Sequence, residues 1–472
     1  MFILQYQRLD NTIAILNYTE MDMNNLIDDF SSKASEYLHT IGDRSVFPSI
    51  KSIENLKRFD VSLQDTSVDP RNVLNELYEI GSPATVASIG RKYFGFVIGG
   101  SLPAALAANL LAGIWDQNAG LEISSPVASF LEEVCQKWLV DILDLPAQTA
   151  TGFVTGATMA NFTGLAAARN AVLEKAGWDV ENNGLFGAPP INVIVGEEVH
   201  VSVLKALGML GLWRKRITRI PVDNQGRMKA ELIPNVSGPT IICVQAGNVD
   251  TGAFDPADDI CKIGHERNAW VHVDGAFGLW ANATANRKYL TNRIEKADSW
   301  ATDAHKWLNV PYDSGLVFVK EPKYLTAAMS ISGAYIIESK RRDPFCYVPE
   351  LSRRARGIEI WAALRSLGKK GLDEMITRNC DLAQLFAKRL KDAGIKILND
   401  VVLNQVLVSF GEPEFTKKII KEIQEDGTCW CGGTVWQDQT AMRISVSSWA
   451  TTEEDINESA DSIIKIFEKN KM

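Results

Sequence analysis

The chain is expected to fold as an α/β protein built on a mainly parallel central sheet, and two patterns carry that expectation. Short apolar runs at 191–195, 240–244, 270–273 and 316–319 alternate with helix-forming stretches between Thr151 and Lys320. Strands that alternate with helices are joined by crossovers into parallel sheets. Beyond residue 351, helical patterns at 353–367, 373–393 and 415–425 accompany two strand patterns, Val401–Phe410 and Met442–Ser447. Those predict a small C-terminal α/β domain.

Composition narrows the function classes. Of 472 residues, 46% are hydrophobic and 23% charged, which is ordinary for a soluble globular protein. The net charge of -9 argues against a nucleic-acid partner, which would need a basic face. No stretch approaches a transmembrane helix, and the opening Met-Phe-Ile-Leu is too short for a signal peptide. Seven scattered cysteines suit a reducing, cytoplasmic setting better than a disulfide framework. Cys429 and Cys431 lack further ligands to complete a metal set, so no metal is expected.

Taken in order, residues 1–20 read as an extension or as the product of an over-long gene prediction, with no assigned function. An amphipathic helix at Asn24–His39 opens a helical region reaching Gly81. Tyr93-Phe-Gly-Phe-Val-Ile-Gly-Gly100 is too glycine-rich for a strand centre, and a helix starts near Pro103. Val127–Leu143 reads as another amphipathic helix. The stretch 330–350, charged and containing Pro344 and Pro349, reads as a mobile loop.

The chemistry is expected around 271–319. Ala269-Trp-Val-His-Val-Asp-Gly-Ala276 is an apolar strand ending in Asp274. Ser299–Thr302 is a short strand followed by Asp303-Ala-His-Lys-Trp307, which places Lys306 near a strand end, where open α/β sheets hold their sites. An amine that can bond an aldehyde and a carboxylate that can pair with a pyridinium nitrogen are the two charges a pyridoxal phosphate site requires. Thr151-Gly-Phe-Val-Thr-Gly-Ala-Thr158 leads into a helix, whose free N–H groups and dipole suit a phosphate. His200 stands between a buried strand at 191–195 and a helix, where it can lie against an aromatic ring.

Four ordered motifs, Thr-Gly-Ala-Thr-Met-Ala-Asn (155–161), Val-His-Val-Ser-Val-Leu-Lys-Ala (199–206), His-Val-Asp-Gly-Ala (272–276) and Asp-Ala-His-Lys-Trp (303–307), resemble the group II pyridoxal-phosphate decarboxylases. These are the aromatic-amino-acid and glutamate decarboxylases, and the resemblance runs from about Val46 to Ile464. It implies the aspartate-aminotransferase-like fold type I of PLP-dependent transferases. The division implied is an N-terminal helical segment and substrate loop (1–100), a large PLP-binding domain (101–350) and the small C-terminal domain (351–472).

It further implies a cytoplasmic homodimer that decarboxylates a small-molecule L-amino acid to the amine. Lys306 would hold the cofactor, Asp274 face the ring nitrogen, and His200 and Ala276 cover the two ring faces. Gly156, Ala157, Thr158 and His305 would bind the phosphate, and Gln245 stand near the phenolic oxygen where the family often has a hydroxyl residue. Phe94, Phe96, Val97 and Ile98 would line an apolar or aromatic substrate pocket, and Arg443 face the site. Tyr347, with Tyr335 as the alternative, would return a proton to the substrate carbon. The 330–350 loop looks shorter than the family's, which keeps open decarboxylation-dependent oxidation to an aldehyde; a non-catalytic PLP-binding role is a third reading. Carbon–carbon lyases of the same fold carry a similar lysine motif, but Trp307 and Pro311-Tyr-Asp-Ser-Gly315 fit the decarboxylases better.

Overall fold

A computed structural model describes residues 23–212, 216–331 and 341–471. A helix α1 (Met23–Thr40) opens it, followed by short helical turns at Ile50–Asn55 and Pro70–Glu76, all without a buried residue. Helices α2 (Pro103–Trp115) and α3 (Pro126–Ile142) lead into strand β1 (Ala150–Val154) and α4 (Ala157–Lys175). Then come β2 (Asn192–Gly196), α5 (Val201–Met209), β3 (Ile217–Ile220), β4 (Thr240–Gln245), α6 (Ala257–Glu266) and β5 (Trp270–Asp274). Strands β6 (Ser299–Asp303) and β7 (Gly315–Val319) and helix α7 (Pro322–Met329) complete this part.

The seven strands form one sheet in the order β1-β7-β6-β5-β4-β2-β3. Neighbours from β3 to β6 pair in parallel, whereas β7 runs antiparallel to both β6 and β1. The expected mainly parallel sheet with crossover helices is thus observed. Strand β1, unassigned from the sequence, is the segment Ala150–Val154 just before the phosphate-type turn.

Both faces of the sheet are covered, which is why its strands are apolar runs rather than alternating ones. Ile194, Ile242, Val244, Val271 and Val273 point into one core cluster, while Val193, Val195, Ile241, Cys243 and Trp270 point into the other. That division follows the two-residue period of a strand. Each of these aliphatic side chains contributes about 1.5–3 kcal/mol by leaving water. Helix α4 lies on the second face through small residues, Ala160, Ala166, Ala167, Ala168 and Ala171, all buried. At Gly164 the approach is closest: a Cβ there would lie 2.8 Å from Cε1 of His272 on β5.

The chain then enters α8 (Gly357–Asp392), two helices joined at Gly368, whose φ of 62° and ψ of -179° break the helical path. This matches the two separate helical patterns seen in the sequence. Strands β8 (Lys396–Ile397), β9 (Gln405–Ser409), β10 (Gly432–Trp436) and β11 (Gln439–Ser445) form an antiparallel sheet in the order β10-β11-β9-β8. Helices α9 (Pro413–Asp426) and α10 (Glu453–Lys471) flank it. Among the described residues no helix is long and apolar enough to cross a membrane.

Candidate active site

The C-terminal ends of the parallel strands lie side by side, where such sheets hold ligands, and His200, Gln245 and Asp274 line one small pocket there. Gln245 ends β4 and is the register partner of Asp274, which ends β5. His200 follows β2 and caps α5, while Lys306 lies three residues beyond Asp303, the last residue of β6. Ala276 joins these ends: its N–H donates to Asp274 Oδ1 at 3.2 Å, and its carbonyl accepts from Asp303 N at 2.8 Å. Lys306, Asp274, His200, Gln245, Ala276, His305, Gly156 and Ala157 therefore lie around the ends of these strands, with Thr158 following in the first turn of α4.

A directed chain of hydrogen bonds fixes the Asp274 carboxylate and the His200 imidazole. The Trp270 indole N–H can only donate, and it does so to Ser299 Oγ at 2.8 Å. Because the Asn161 amide nitrogen faces the acceptor-only Asp274 carboxylate, Asn161 Oδ1 accepts from His272 Nε2 at 2.9 Å, and Nδ1 of the neutral ring accepts from the Ser299 hydroxyl at 2.8 Å. The Asn161 amide nitrogen then donates to Asp274 Oδ2 at 3.1 Å and to Ser202 Oγ at 3.2 Å. Ser202 completes the chain by donating its hydroxyl at 2.8 Å and its backbone N–H at 3.3 Å to His200 Nδ1. One amide thus orients both the carboxylate and the imidazole.

Electrostatics agree with this assignment. Burial pushes His272 down to about 3, so it is neutral. His200 is also lowered, first by burial; Asp274 opposes that shift, and the charges of Lys306 and Arg443 add to it. Neutral His200 carries its proton on Nε2, the nitrogen left free by Ser202. Neither Asn161 nor His272 was singled out as functional from the sequence. A signal existed: His272 stands two residues before Asp274 and so shares its face of β5.

Asp303 is a further residue the motifs did not distinguish. Gly156 precedes α4 without a side-chain cap, and the cap comes instead from Asp303, whose Oδ1 accepts from Ala157 N at 2.5 Å. Its Oδ2 pairs with Lys306 Nζ at 2.9 Å, and His305 Nε2 lies 3.5 Å from Oδ1. His305 Nδ1 accepts from Ser314 N at 3.1 Å, so the proton sits on Nε2 and faces the start of α4. Burial lowers this imidazole as well, and the ring of Tyr312 stacks on it at 4.2 Å. Of the backbone donors expected for a phosphate, the N–H of Ala157 is thus already given to Asp303.

The 93–100 loop lies directly on the lysine: a Cβ at Gly99 would come within 1.8 Å of the Lys306 carbonyl. The substrate residues expected there separate, however. Phe94 is buried edge-on against Phe386 in the core of the C-terminal sheet, and Val97 is fully buried in the main core. Neither side chain is free to line a pocket, because Phe96 and Val97 both take left-handed backbone (φ 52° and 58°), which turns the alternation of the loop. Phe96 stays 59% exposed and leans on Trp430 at 5.4 Å, and Trp430 in turn stacks on Tyr93 at 5.2 Å. Ile98 is half-buried, with its N–H donated to the Gly95 carbonyl. The exposed aromatic side chain of the loop is therefore Phe96, backed by Trp430 from the C-terminal part and by the buried ring of Tyr93.

Arg443, on β11, holds Asp250 Oδ1 at 3.4 Å and is close enough to bear on His200, as expected for an arginine facing the site. Tyr347 is placed otherwise. The Arg342 guanidinium covers its ring at 3.7 Å, its carbonyl packs on Gly152 of β1, and its side chain joins the core under α4 and α7. Arg342 is anchored by Gln136 at 2.9 Å and by Glu132 at 3.5 Å, so Tyr347 is part of a buried charged cluster rather than of the Lys306 group. Tyr335 lies outside the described residues, as does the centre of the 330–350 loop.

The donor set fits pyridoxal phosphate: an amine on Lys306, a carboxylate anchored for a ring nitrogen, a neutral imidazole for a ring face, and His305 Nε2–H beside a helix N-terminus for a phosphate. Comparison with known proteins agrees. Residues 54–411 match the pyridoxal-dependent decarboxylase conserved domain. An aromatic-L-amino-acid decarboxylase of Bacillus atrophaeus is 26% identical over 452 residues, 89% of this chain and 90% of the relative. A histidine decarboxylase of Rattus norvegicus is 24% identical over 444 residues, 89% of this chain and 67% of the relative. The fold is that of Oryza sativa TDC solved with PLP and tryptamine (TM-score 0.87, 20% identity, 95% and 98% of the two chains).

Proposed function

The chain belongs to the pyridoxal-dependent decarboxylase family, and from that premise we propose that its substrate is an aromatic L-amino acid. The activity itself is PLP-dependent removal of the carboxylate as carbon dioxide, leaving the amine. The observation that carries the aromatic reading is Phe96, exposed on the loop whose Gly99 lies against the Lys306 carbonyl, with the rings of Trp430 and Tyr93 stacked behind it. Aromatic faces pair with other rings in stacked or edge-on contact worth about 0.5–1.5 kcal/mol beyond their buried area. The aromatic-amino-acid names of the relatives support the same choice.

Bound pyridoxal phosphate supplies an electron sink for the pair released when the bond to the carboxylate breaks. Asp274, held by Asn161 and the Ala276 N–H, would keep positive charge on the ring nitrogen. His200, as a neutral group, and Ala276 would hold the ring between them. Lys306 presents its amine from the end of β6. We assign Arg443 to the substrate carboxylate, with Asp250 fixing the guanidinium.

The proposal includes a homodimer. Ile50, Val61 and Leu63 are 77%, 70% and 91% exposed on the N-terminal segment, and Ile114 on α2 and Phe130 on α3 are exposed as well. Large apolar side chains left in water where they adjoin one another mark association surfaces. A cytoplasmic setting is part of the same reading, supported by seven cysteines none of which is bridged. The test is to incubate the PLP-loaded protein with a panel of L-amino acids, identify products by mass spectrometry and follow oxygen, with light scattering for the dimer. An aromatic amine formed without oxygen uptake is expected. Turnover of glutamate alone would refute the aromatic reading, and aldehyde with oxygen uptake would refute the simple decarboxylase.

A further inference from the structure

Asp303 holds both groups that a phosphorylated aldehyde cofactor needs. Its side chain is 2% exposed, one oxygen caps α4 through Ala157 N, and the other pairs with Lys306 Nζ at 2.9 Å. A helix N-terminus is an anion seat, and here a carboxylate of the chain itself occupies part of it. A phosphate entering that seat meets a like charge in a site shielded from water, where such repulsion is strong.

The groups around it do not cancel that charge in the assembled site. His305 is neutral through burial, and Tyr312 stacks over it with its own hydroxyl pushed up by burial. Asp313 is paired with Arg356 at 2.8 Å and adds no cation. Lys306 is the counter-ion of Asp303, and the same nitrogen must leave that pair to bond the aldehyde.

We propose that Asp303 is a positioning residue that sets cofactor affinity: it aligns Lys306 and caps α4, and it competes with the phosphate for the α4 N-terminus. Cofactor therefore binds less tightly than the remaining donors would allow, and the cofactor-free state is held ready by the Ala157–Asp303–Lys306 bridge. This rests on the reading of the site as a PLP site.

The test uses the full chain stripped of cofactor, as wild type, Asp303→Asn and Asp303→Ser. Asparagine keeps an oxygen for Ala157 N–H but carries no charge, and serine serves as the smaller alternative if the amide variant does not fold. Affinities for pyridoxal phosphate and for pyridoxal, which lacks the phosphate, are measured by fluorescence quenching and by the visible band of lysine-bound cofactor. Removal of the charge is expected to tighten pyridoxal phosphate binding about tenfold and pyridoxal binding much less. Inorganic phosphate should compete better in the variant. Unchanged or weaker binding of pyridoxal phosphate in a folded variant, or an equal gain for pyridoxal, overturns the proposal. If wild type and Lys306→Ala develop the same visible band, the PLP reading of the site itself fails, whatever Asp303 does.

Discussion

Replacing Asn161 by alanine should be among the most costly single changes in this chain. Asn161 is fully buried and makes three hydrogen bonds, to Asp274, Ser202 and His272. The bond to the carboxylate is charge-assisted, worth about 1.5–3 kcal/mol, and a buried His272 N–H left without an acceptor costs about 1–3 kcal/mol more. The expected loss is about 3–5 kcal/mol in all. It is read from the urea midpoint of the PLP-loaded protein, with Asn161→Leu as a volume control. The His272→Phe change removes the same orphaned donor, so the double variant should cost about 1–2 kcal/mol less than the sum of the singles. A loss below about 1 kcal/mol for Asn161→Ala, or strictly additive effects, would show that the chain from Trp270 to His200 is not a coupled unit. The cofactor's visible band supplies an independent reading, since a loosened Asp274 should move its pH dependence and a purely structural defect should not.

Three further outcomes are expected. Lys306→Ala should abolish decarboxylation and the visible band together while leaving the melting temperature of the cofactor-free protein within a few degrees of wild type; retained turnover would sink the assignment. The folded-state value of His272, about 3, lies below that of an unfolded histidine, near 6.5, so the unfolded state takes up the proton first. Stability should therefore fall as pH drops from about 6.5 toward 3, and urea midpoints of His272→Phe should lose less over that window than wild type. Tyr347→Phe should change kcat by less than about twofold and leave oxygen uptake unaltered, because Arg342 holds that ring outside the Lys306 group; a collapse in amine yield would restore Tyr347 as the proton donor.

The parts of the molecule that were legible beforehand are those where one local pattern decides the outcome. The strands carrying Asp274 and Lys306 are short apolar runs that end in charge, and the break in α8 lies at a glycine between two helical periods. The pocket residues were harder to place for a physical reason. Phe94 and Val97 sit in a loop whose glycines suggest openness, yet two consecutive left-handed residues rotate these side chains into separate cores. A period read from the sequence does not carry through such a turn. Tyr347 was equally ambiguous, because an aromatic beside basic residues serves a catalytic loop or a buried cation–π pair with the same letters.

What no pattern could supply is the direction of each polar contact. Asn161, His272 and Ser299 come from α4, β5 and β6, and they meet only because Gly164 lets α4 settle against the imidazole. Their roles follow once a donor-only indole stands at one end of the chain and an acceptor-only carboxylate at the other, since every proton between them is then assigned. The same reasoning separates the two acids of the site. Asp274 is surrounded by donors and is free to face a ring nitrogen, whereas Asp303 is spent on a helix end and on the reactive lysine. On the proposed reading, two strand-end aspartates of identical chemistry do opposite work, one recruiting the cofactor and the other resisting it, and the difference lies in which N–H groups the fold turns toward each.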